Sequence, residues 1–366
     1  MLTFPLNSIS IEEAKEKQFQ LVDEICKVFT GSEFLNLGDL GVTGSINKPA
    51  QTEKVEKVLA AYFNVEKALL VTGAGTGAIR WGLQAILKPN STLLVHKAPL
   101  YPTTKVSIEG LNINCIEADF NDSNDLLQVL ETHHLDAALI QYSRQKIDDH
   151  YDMGEVIKLI KSKRNIPIIT DDNYAVMKVS KIGVELGADI SAFSSFKLLG
   201  PEGVGILLGK KEIVEYVDKM NYSGGGKIQG FQAMEVLRGL VYAPVSFAVQ
   251  AEENEKLVKR IQAMNIDSVK SVFLANAQSK VLLVEFNEDI AQKVLVEAEK
   301  LGAAPNPVGA ESKYEIVPLF YRVSQTFINS DPSLRHRMIR INPMRSGSDT
   351  VIRILVESIK RVKECS

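Results

Sequence analysis

The chain has 366 residues, of which 45% are hydrophobic and 24% are charged, and this composition is typical of folded globular domains rather than of disordered chains. At about 100 to 200 residues per domain, the length predicts about two domains. Lys and Arg number 42 against 45 Asp and Glu, so the chain lacks the basic excess that attracts nucleic acid or anionic lipid. We therefore expect neither nucleic acid nor a membrane as a partner.

The cysteines and the N-terminal residues indicate the cellular compartment of the protein. Cys26, Cys115 and Cys365 are far apart and show no C-x-x-C spacing, which is typical of proteins from a reducing compartment. The first residues lack a basic stretch followed by an apolar one, and no run of about 18 apolar residues occurs. We expect a cytoplasmic protein.

The first 50 residues are predicted to form a separate segment. A helix is predicted at 11–29, and a glycine-rich stretch follows at 38–44. Neither belongs to the pattern of strands that begins further along the chain. We expect residues 1–50 to pack on a small domain or on a partner subunit.

Short apolar runs then alternate with amphipathic stretches. Seven runs are predicted strands, at 68–73, 92–97, 112–118, 136–143, 167–172, 190–196 and 203–209. Most are continuously apolar, as expected when helices cover both faces of a mostly parallel sheet. The repeated pattern predicts an α/β domain with a seven-stranded sheet over residues 51–245.

The pattern changes after about residue 245. Helices are predicted at 247–264, 291–302 and 349–364, with strands between them at 281–286 and 338–342. This order predicts a small α+β C-terminal domain over residues 246–366.

A turn of small residues joins the first predicted strand to a helix. Thr72 to Ala78 read TGAGTGA, which lets a phosphate approach the N–H groups at the positive end of a helix. The residues also fit the dinucleotide pattern G-x-G-x-x-A, but the next strand ends in His96 and Lys97, where that pattern requires an acidic residue. Besides phosphate binding and dinucleotide binding, the third interpretation is a turn that joins strand to helix and binds no ligand.

Two further features lie at the ends of later strands. Asp171 and Asp172 end a very apolar strand, where ligands of open α/β sheets bind. Asp172 is expected to serve the following turn or to face solvent. Lys197 lies between an apolar strand and a glycine-rich turn, where desolvation would lower its pKa and favour the neutral amine that forms an imine. The alternative is a surface lysine whose amine reaches water.

The glycine turn, the carboxylate and the lysine, in this order, resemble the fold type I pyridoxal-phosphate enzymes of the aminotransferase superfamily, nearer to the cysteine/methionine-metabolism and class V branches. The resemblance implies that Lys197 holds the cofactor as an imine and later moves protons. It implies that Asp171 keeps the pyridine nitrogen protonated. Gly75 and Thr76 would donate hydrogen bonds to the phosphate.

The resemblance implies further cofactor ligands. Ser194 or Ser195 would add a hydroxyl to the phosphate site. Tyr101 would stack on the cofactor ring, with His96 as the competing residue and packing at a helix start as the alternative role.

Ser143 and its neighbour Arg144 end the strand before that of Asp171, and this location contacts the cofactor's ring hydroxyl in related enzymes.

Two features concern the substrate and the assembly. Arg340 lies in a segment resembling the one that supplies the α-carboxylate arginine in related enzymes, and arginine is the planar bidentate donor that a carboxylate requires. A surface strand with alternating basic side chains is the alternative. The loop Gly224–Gly226 resembles one that reaches the partner's phosphate in related dimers, which implies a homodimer with shared active sites.

These residues predict a pyridoxal-phosphate-dependent enzyme that acts on an amino acid or amino compound, in the first place an aminotransferase. A C–S lyase is the alternative suggested by the context of Tyr101, although residues 38–55 contain no tyrosine or arginine, which that branch usually takes from the neighbouring subunit. An NAD-dependent oxidoreductase is the alternative from another class, suggested by the glycine turn, although it would have no use for Lys197. A non-catalytic protein is disfavoured, because an idle site need not retain both Asp171 and Lys197. The pair His133–His134 and the run Asp148–His150 do not have the spacing of a metal site.

Overall fold

A computed structural model describes residues 3–143, 146–276, 280–309 and 311–364. The chain divides into two compact units. The large unit comprises residues 12–142 and 151–244, and the C-terminal unit comprises the described residues among 1–11, 143–150 and 245–366. The predicted N-terminal segment is thus divided between the units, and its packing on a partner subunit stays a prediction.

The large unit contains the seven-stranded sheet. Its strands are β1 (Lys67–Thr72), β2 (Thr92–His96), β3 (Asn114–Ala118), β4 (Ala137–Gln141), β5 (Ile168–Asp171), β6 (Ile190–Ser194) and β7 (Val204–Gly209). They lie in the order β1-β7-β6-β5-β4-β2-β3. Only β7 among them is antiparallel to its neighbours, β1 and β6. The predicted α/β fold with a mostly parallel seven-stranded sheet is confirmed.

Helices cover both faces of this sheet. The helices in this part of the chain are α1 (Ile11–Val28), α2 (Gly31–Phe34), α3 (Ala50–Tyr62), α4 (Ala74–Ile86), α5 (Pro102–Gly110), α6 (Ser123–Thr132), α7 (Met153–Lys163) and α8 (Lys211–Met220), and 3₁₀ turns occupy Gly183–Leu186, Ser195–Leu198 and Gly224–Gly226. Successive strand residues enter opposite cores, as Leu93 packs with Leu83 of α4 and Leu94 packs with Ile157 of α7. Each fully buried leucine contributes about 2 kcal/mol, which explains why most of the strands are continuously apolar.

The C-terminal unit contains a four-stranded antiparallel sheet. Its elements are the end of α9 (Gly230–Ala263), β8 (Val269–Asn276), β9 (Lys280–Phe286), α10 (Ala291–Lys300), β10 (Leu319–Arg322), α11 (Gln325–Ser330), α12 (Leu334–Arg337), β11 (Met338–Asn342) and α13 (Ser348–Glu364). The strand order is β10-β11-β9-β8.

The sequence predicted only β9 and β11 of this sheet. β8 is partly exposed and begins with a mixture of polar and apolar residues, and β10 is only four residues long. Both therefore lack the apolar run that predicts a strand. Within the described residues, no helix has the length and apolar character required to cross a bilayer.

Candidate active site

The turn between β1 and α4 contains two backbone donors for which the described part of the chain provides no acceptor. Gly73 and Ala74 adopt positive φ angles of 94° and 54°, and their N–H groups donate to the Gly203 carbonyl oxygen at 2.9 and 3.0 Å. Within the described residues, no acceptor is bonded to the N–H of Gly75 or Thr76. These two groups lie at the positive end of a 13-residue helix, so the turn is suited to a phosphate.

Asp171 is held by hydrogen bonds at the end of β5. Its Oδ1 accepts the backbone N–H of Asn173 at 3.1 Å and the side-chain Nδ2 of Asn173 at 2.7 Å. Its Oδ2 accepts only a longer bond, at 3.4 Å, from Gln141 Nε2. The carboxylate is 7% exposed, so it is oriented and largely shielded from water.

Lys197 lies in the turn Ser195–Leu198, directly after β6. Burial lowers the pKa of Lys197 to about 8, and the charge of Asp171 acts in the opposite direction. The Nζ atom lies 3.8 Å from the ring centroid of Tyr174 and 5.9 Å from that of Tyr101. A lysine amine with this pKa is partly neutral near physiological pH and can act as a nucleophile.

The aromatic residues near Lys197 differ in part from the prediction. Of the two candidates, Tyr101 faces Lys197, whereas the ring of His96 packs against Tyr151 with centroids 5.0 Å apart. Tyr174 was missed. It follows Asp171 by three residues and has a φ of 67°, a conformation that is uncommon for a bulky residue and frequent at functional sites.

The two serines at the end of β6 have different partners. The Ser195 hydroxyl is fully buried and bonds to the carbonyl oxygens of Pro201 and Val204 at 2.8 and 3.0 Å. No partner of the Ser194 hydroxyl occurs within the described part of the chain. Of the two predicted phosphate ligands, Ser194 therefore has the available hydroxyl.

Asp172 corrects one expectation. It is fully buried rather than solvated, and it accepts hydrogen bonds from Thr170 Oγ1 at 2.8 Å and from the Gly183 N–H at 3.3 Å. Burial raises its pKa to about 7. Successive strand residues point to opposite faces, so only the first of the two carboxylates lies on the side of Lys197.

Two predicted site residues belong to the C-terminal unit. Arg340 is buried in β11, where its Nε donates to the Arg322 carbonyl oxygen at 2.9 Å and its guanidinium lies 4.2 Å from the Tyr321 ring centroid. The alternative of a surface strand is wrong, because every residue of β11 is buried. Ser143 is partly buried, and Arg144 lies outside the described residues. Their roles toward substrate and cofactor stay predictions.

A buried ionic cluster, which was not predicted from the sequence, includes residues on both sides of the loop Gly224–Gly226. Lys48 is 2% exposed and bonds to Glu56 at 2.6 Å and to Asp218 at 3.0 Å, and Lys227 bonds to Asp218 at 2.7 Å. Removal of one member of such a cluster leaves a buried charge without compensation. The cluster thus fixes both flanks of the glycine loop.

Comparisons with known proteins agree with this geometry. The family model described as aminotransferase class-V matches residues 43–237, and one described as YhfS-like, C-terminal domain, matches residues 255–355. The crystal structure of the pyridoxal-5'-phosphate-dependent protein YhfS from Escherichia coli has a TM-score of 0.97 and 55% identity, covering 99% of this chain and 100% of that chain.

More distant proteins share the fold. The cysteine desulfurase IscS of Haemophilus ducreyi is 22% identical over 73% of this chain and 68% of its own length. The cystathionine gamma lyase CalE6 from Micromonospora echinospora has a TM-score of 0.74 and 15% identity, covering 94% of this chain and 98% of that chain.

The residues present fit pyridoxal phosphate. Two unbonded N–H groups at a helix end suit its phosphate, an oriented carboxylate suits its ring nitrogen, and a lysine amine of lowered pKa suits its aldehyde. The chain belongs to the aminotransferase class-V family of fold type I enzymes, which depend on pyridoxal phosphate.

Proposed function

We propose that this enzyme is an aminotransferase that acts on an amino acid or another small amino compound. The observation that carries the proposal is the position of the Lys197 amine, which has a pKa of about 8 and experiences the charge of Asp171. When bound, pyridoxal phosphate supplies an electron sink for the bonds at the substrate's Cα. Lys197 then moves the proton of that carbon, because a basic group of this pKa suits proton transfer near neutral pH.

Other residues would bind and orient the cofactor. We assign the phosphate to the N–H groups of Gly75 and Thr76 and to the Ser194 hydroxyl, and the ring face to Tyr101. Asp171 keeps a proton on the ring nitrogen, where a charge-assisted hydrogen bond is strong. Tyr174 restricts the access of water to the Lys197 amine, since its ring centroid is 3.8 Å from Nζ.

A C–S lyase is the second candidate, because solved carbon–sulfur lyases share this fold over most of the chain. The two reactions differ in their stoichiometry. In transamination the substrate's amino group would pass to the bound cofactor, so each site would release one 2-oxo acid and then require an oxo-acid acceptor. Elimination at a C–S bond would consume one water and release a thiol, ammonia and a 2-oxo acid in every turnover, and it would require no acceptor.

A stoichiometric reaction distinguishes them. The cofactor-loaded enzyme is mixed with single amino acids, without an oxo-acid acceptor, and the visible absorbance is followed together with oxo acid and ammonia. We expect the visible band to fall with one oxo acid formed per site, and a 2-oxo acid to restore it. Continuous release of ammonia with a persistent band would contradict the aminotransferase proposal, and the corresponding 2-hydroxy acids serve as controls that lack the amine.

We also propose a homodimer whose shared active sites include the loop Gly224–Gly226. Leu35, Leu37 and Leu40 are 85%, 79% and 80% exposed, and exposed apolar clusters of this kind mark interaction sites. Their segment is joined to the glycine loop, because the Gly41 N–H donates to Gln229 Oε1 at 2.8 Å and Gln229 Nε2 donates to the Gly224 carbonyl oxygen at 3.4 Å. The partner proposed is a second copy of this chain.

The double variant Leu37→Asp/Leu40→Asp is expected to sediment as a monomer, whereas the unmodified chain sediments as a dimer, because a buried charge opposes association. Val106 is also an exposed apolar residue, at 61%, and Val106→Asp is the matched control that should remain dimeric. A double variant that stays dimeric would place the interface elsewhere.

A further inference from the structure

We propose that Asn173 is a positioning residue that orients the Asp171 carboxylate and joins it to the phosphate-binding groups. The inference rests on the cofactor being held at this end of the sheet and not on which reaction follows. Asn173 is 8% exposed and lies two residues after Asp171. Its side chain contacts three separate parts of the site.

The first contact fixes the carboxylate. The backbone N–H of Asn173, at 3.1 Å, and its side-chain Nδ2, at 2.7 Å, donate to the same atom, Oδ1 of Asp171. Two donors on one oxygen restrict rotation of the carboxylate about its terminal bond. Oδ2 is then directed away from Asn173, and it is the oxygen available to a ring N–H.

The second contact fixes the start of the lysine turn. The Oδ1 atom of Asn173 accepts the backbone N–H of Ser194 at 3.0 Å. Ser194 carries the available hydroxyl and precedes Lys197 by three residues. The side-chain amide of Asn173 therefore donates a hydrogen bond to Asp171, which is assigned to the ring nitrogen. It also accepts one from the backbone of Ser194, whose hydroxyl is assigned to the phosphate.

The third contact explains why a glycine occupies position 75. A Cβ atom at Gly75 would lie 2.6 Å from Asn173 Oδ1 and 2.7 Å from Nδ2, closer than nonbonded atoms approach. Gly75 thus allows the N-terminus of α4 to pack directly on the amide. Because only an amide both donates and accepts in this shape, the side chain sets the spacing between the phosphate groups and Asp171.

Cofactor affinity tests the inference without reference to catalysis. The apoprotein is titrated with pyridoxal phosphate, and the melting temperature is measured with and without cofactor. Asn173→Ala is expected to raise the dissociation constant about 10- to 100-fold, the effect of losing buried hydrogen bonds of which one is to a charged group. The melting temperature should fall more with cofactor than without it.

Asn173→Asp keeps an oxygen for the Ser194 N–H but places a second carboxylate against Asp171. Like charges in a buried site repel, so we expect a larger loss of affinity than for Asn173→Ala. If Asn173 served only to hold Ser194, the aspartate variant would be the milder one. The order of the two variants therefore separates positioning of Asp171 from a purely structural role, and the melting temperature of each apoprotein shows whether that variant is folded.

Asn254→Ala is the matched control. Asn254 is fully buried in the C-terminal unit, and its Nδ2 donates to the Lys280 carbonyl oxygen at 2.9 Å. Its variant should lower the melting temperature equally with and without cofactor and leave the dissociation constant unchanged. If both Asn173 variants also lowered the melting temperature equally with and without cofactor and left the dissociation constant unchanged, the inference would be overturned. A wild-type apoprotein that takes up no cofactor would overturn the site assignment as well.

Discussion

Replacing Lys197 by alanine is expected to lower turnover by a factor of about 10⁴. The variant loses the amine that holds the cofactor and the group that moves the Cα proton, and no other side chain supplies both. Steady-state turnover and the visible spectrum measure the two losses separately. We expect the variant to bind pyridoxal phosphate without the borohydride-sensitive band.

Lys178→Ala is the matched control for this prediction. Lys178 is also a buried lysine, 5% exposed, and its Nζ lies 5.7 Å from the centroid of the same Tyr174 ring. The control should keep the borohydride-sensitive band. If Lys178→Ala lost the band and Lys197→Ala kept it, the assignment of the covalent residue would be wrong.

The lowered pKa of Lys197 gives this prediction a pH dependence. Only the neutral amine attacks an aldehyde, and burial brings the pKa down from 10.5 to about 8. The rate at which the apoprotein takes up pyridoxal phosphate should therefore rise with pH and level off a little above pH 8. A rate that still rises through pH 10 would indicate an exposed lysine with an ordinary pKa.

Asp171→Asn is expected to lower turnover by about 10³, or roughly 4 kcal/mol of transition-state stabilisation. An amide in place of the carboxylate no longer stabilises a proton on the ring nitrogen, and the electron sink is weakened. The fold should be retained, because the amide can still accept the hydrogen bonds of Asn173. Turnover and substrate-induced spectral change under single-turnover conditions measure the effect.

Asp172→Asn is the neighbouring control. Asp172 is fully buried and bonds to Thr170 and Gly183 rather than to Asn173. Asp172→Asn should lower the melting temperature, whereas the visible absorption band of the bound cofactor should keep its wavelength. Equal kinetic losses in the two variants would mean that Asp171 has no special relation to the cofactor.

The sequence predicted the parts of the site that follow from strand ends. Asp171 and Lys197 stand where buried apolar runs stop, and the glycine turn stands where a strand meets a helix, so their order alone indicated the family. The seven strands were also predictable, because most of them are buried on both faces and are therefore apolar, although β3 is largely exposed. β8 and β10 of the small sheet were not, since one is partly exposed and the other is short.

Other features depend on side-chain direction and were not predictable. The pattern Asp171-Asp172 does not indicate which carboxylate turns inward toward Thr170, and the sequence predicted that Asp172 serves the following turn or faces solvent. Tyr174 has a positive φ, and its ring centroid lies 3.8 Å from Lys197 Nζ; neither property follows from the sequence pattern. Asn173 meets Gly75, which comes from a distant part of the chain, and Ser194, which follows it by 21 residues, and such contacts become visible only when the strands are assembled.

The most direct measurement is the mass of the peptide that carries the cofactor. The purified protein, loaded with pyridoxal phosphate, is reduced with borohydride, digested and analysed by mass spectrometry. The structure predicts a single modified peptide with the added mass on Lys197, in both the unmodified chain and the Lys178→Ala control. A modified peptide that contains another lysine, or none at all in a protein that binds the cofactor, would contradict the central claim.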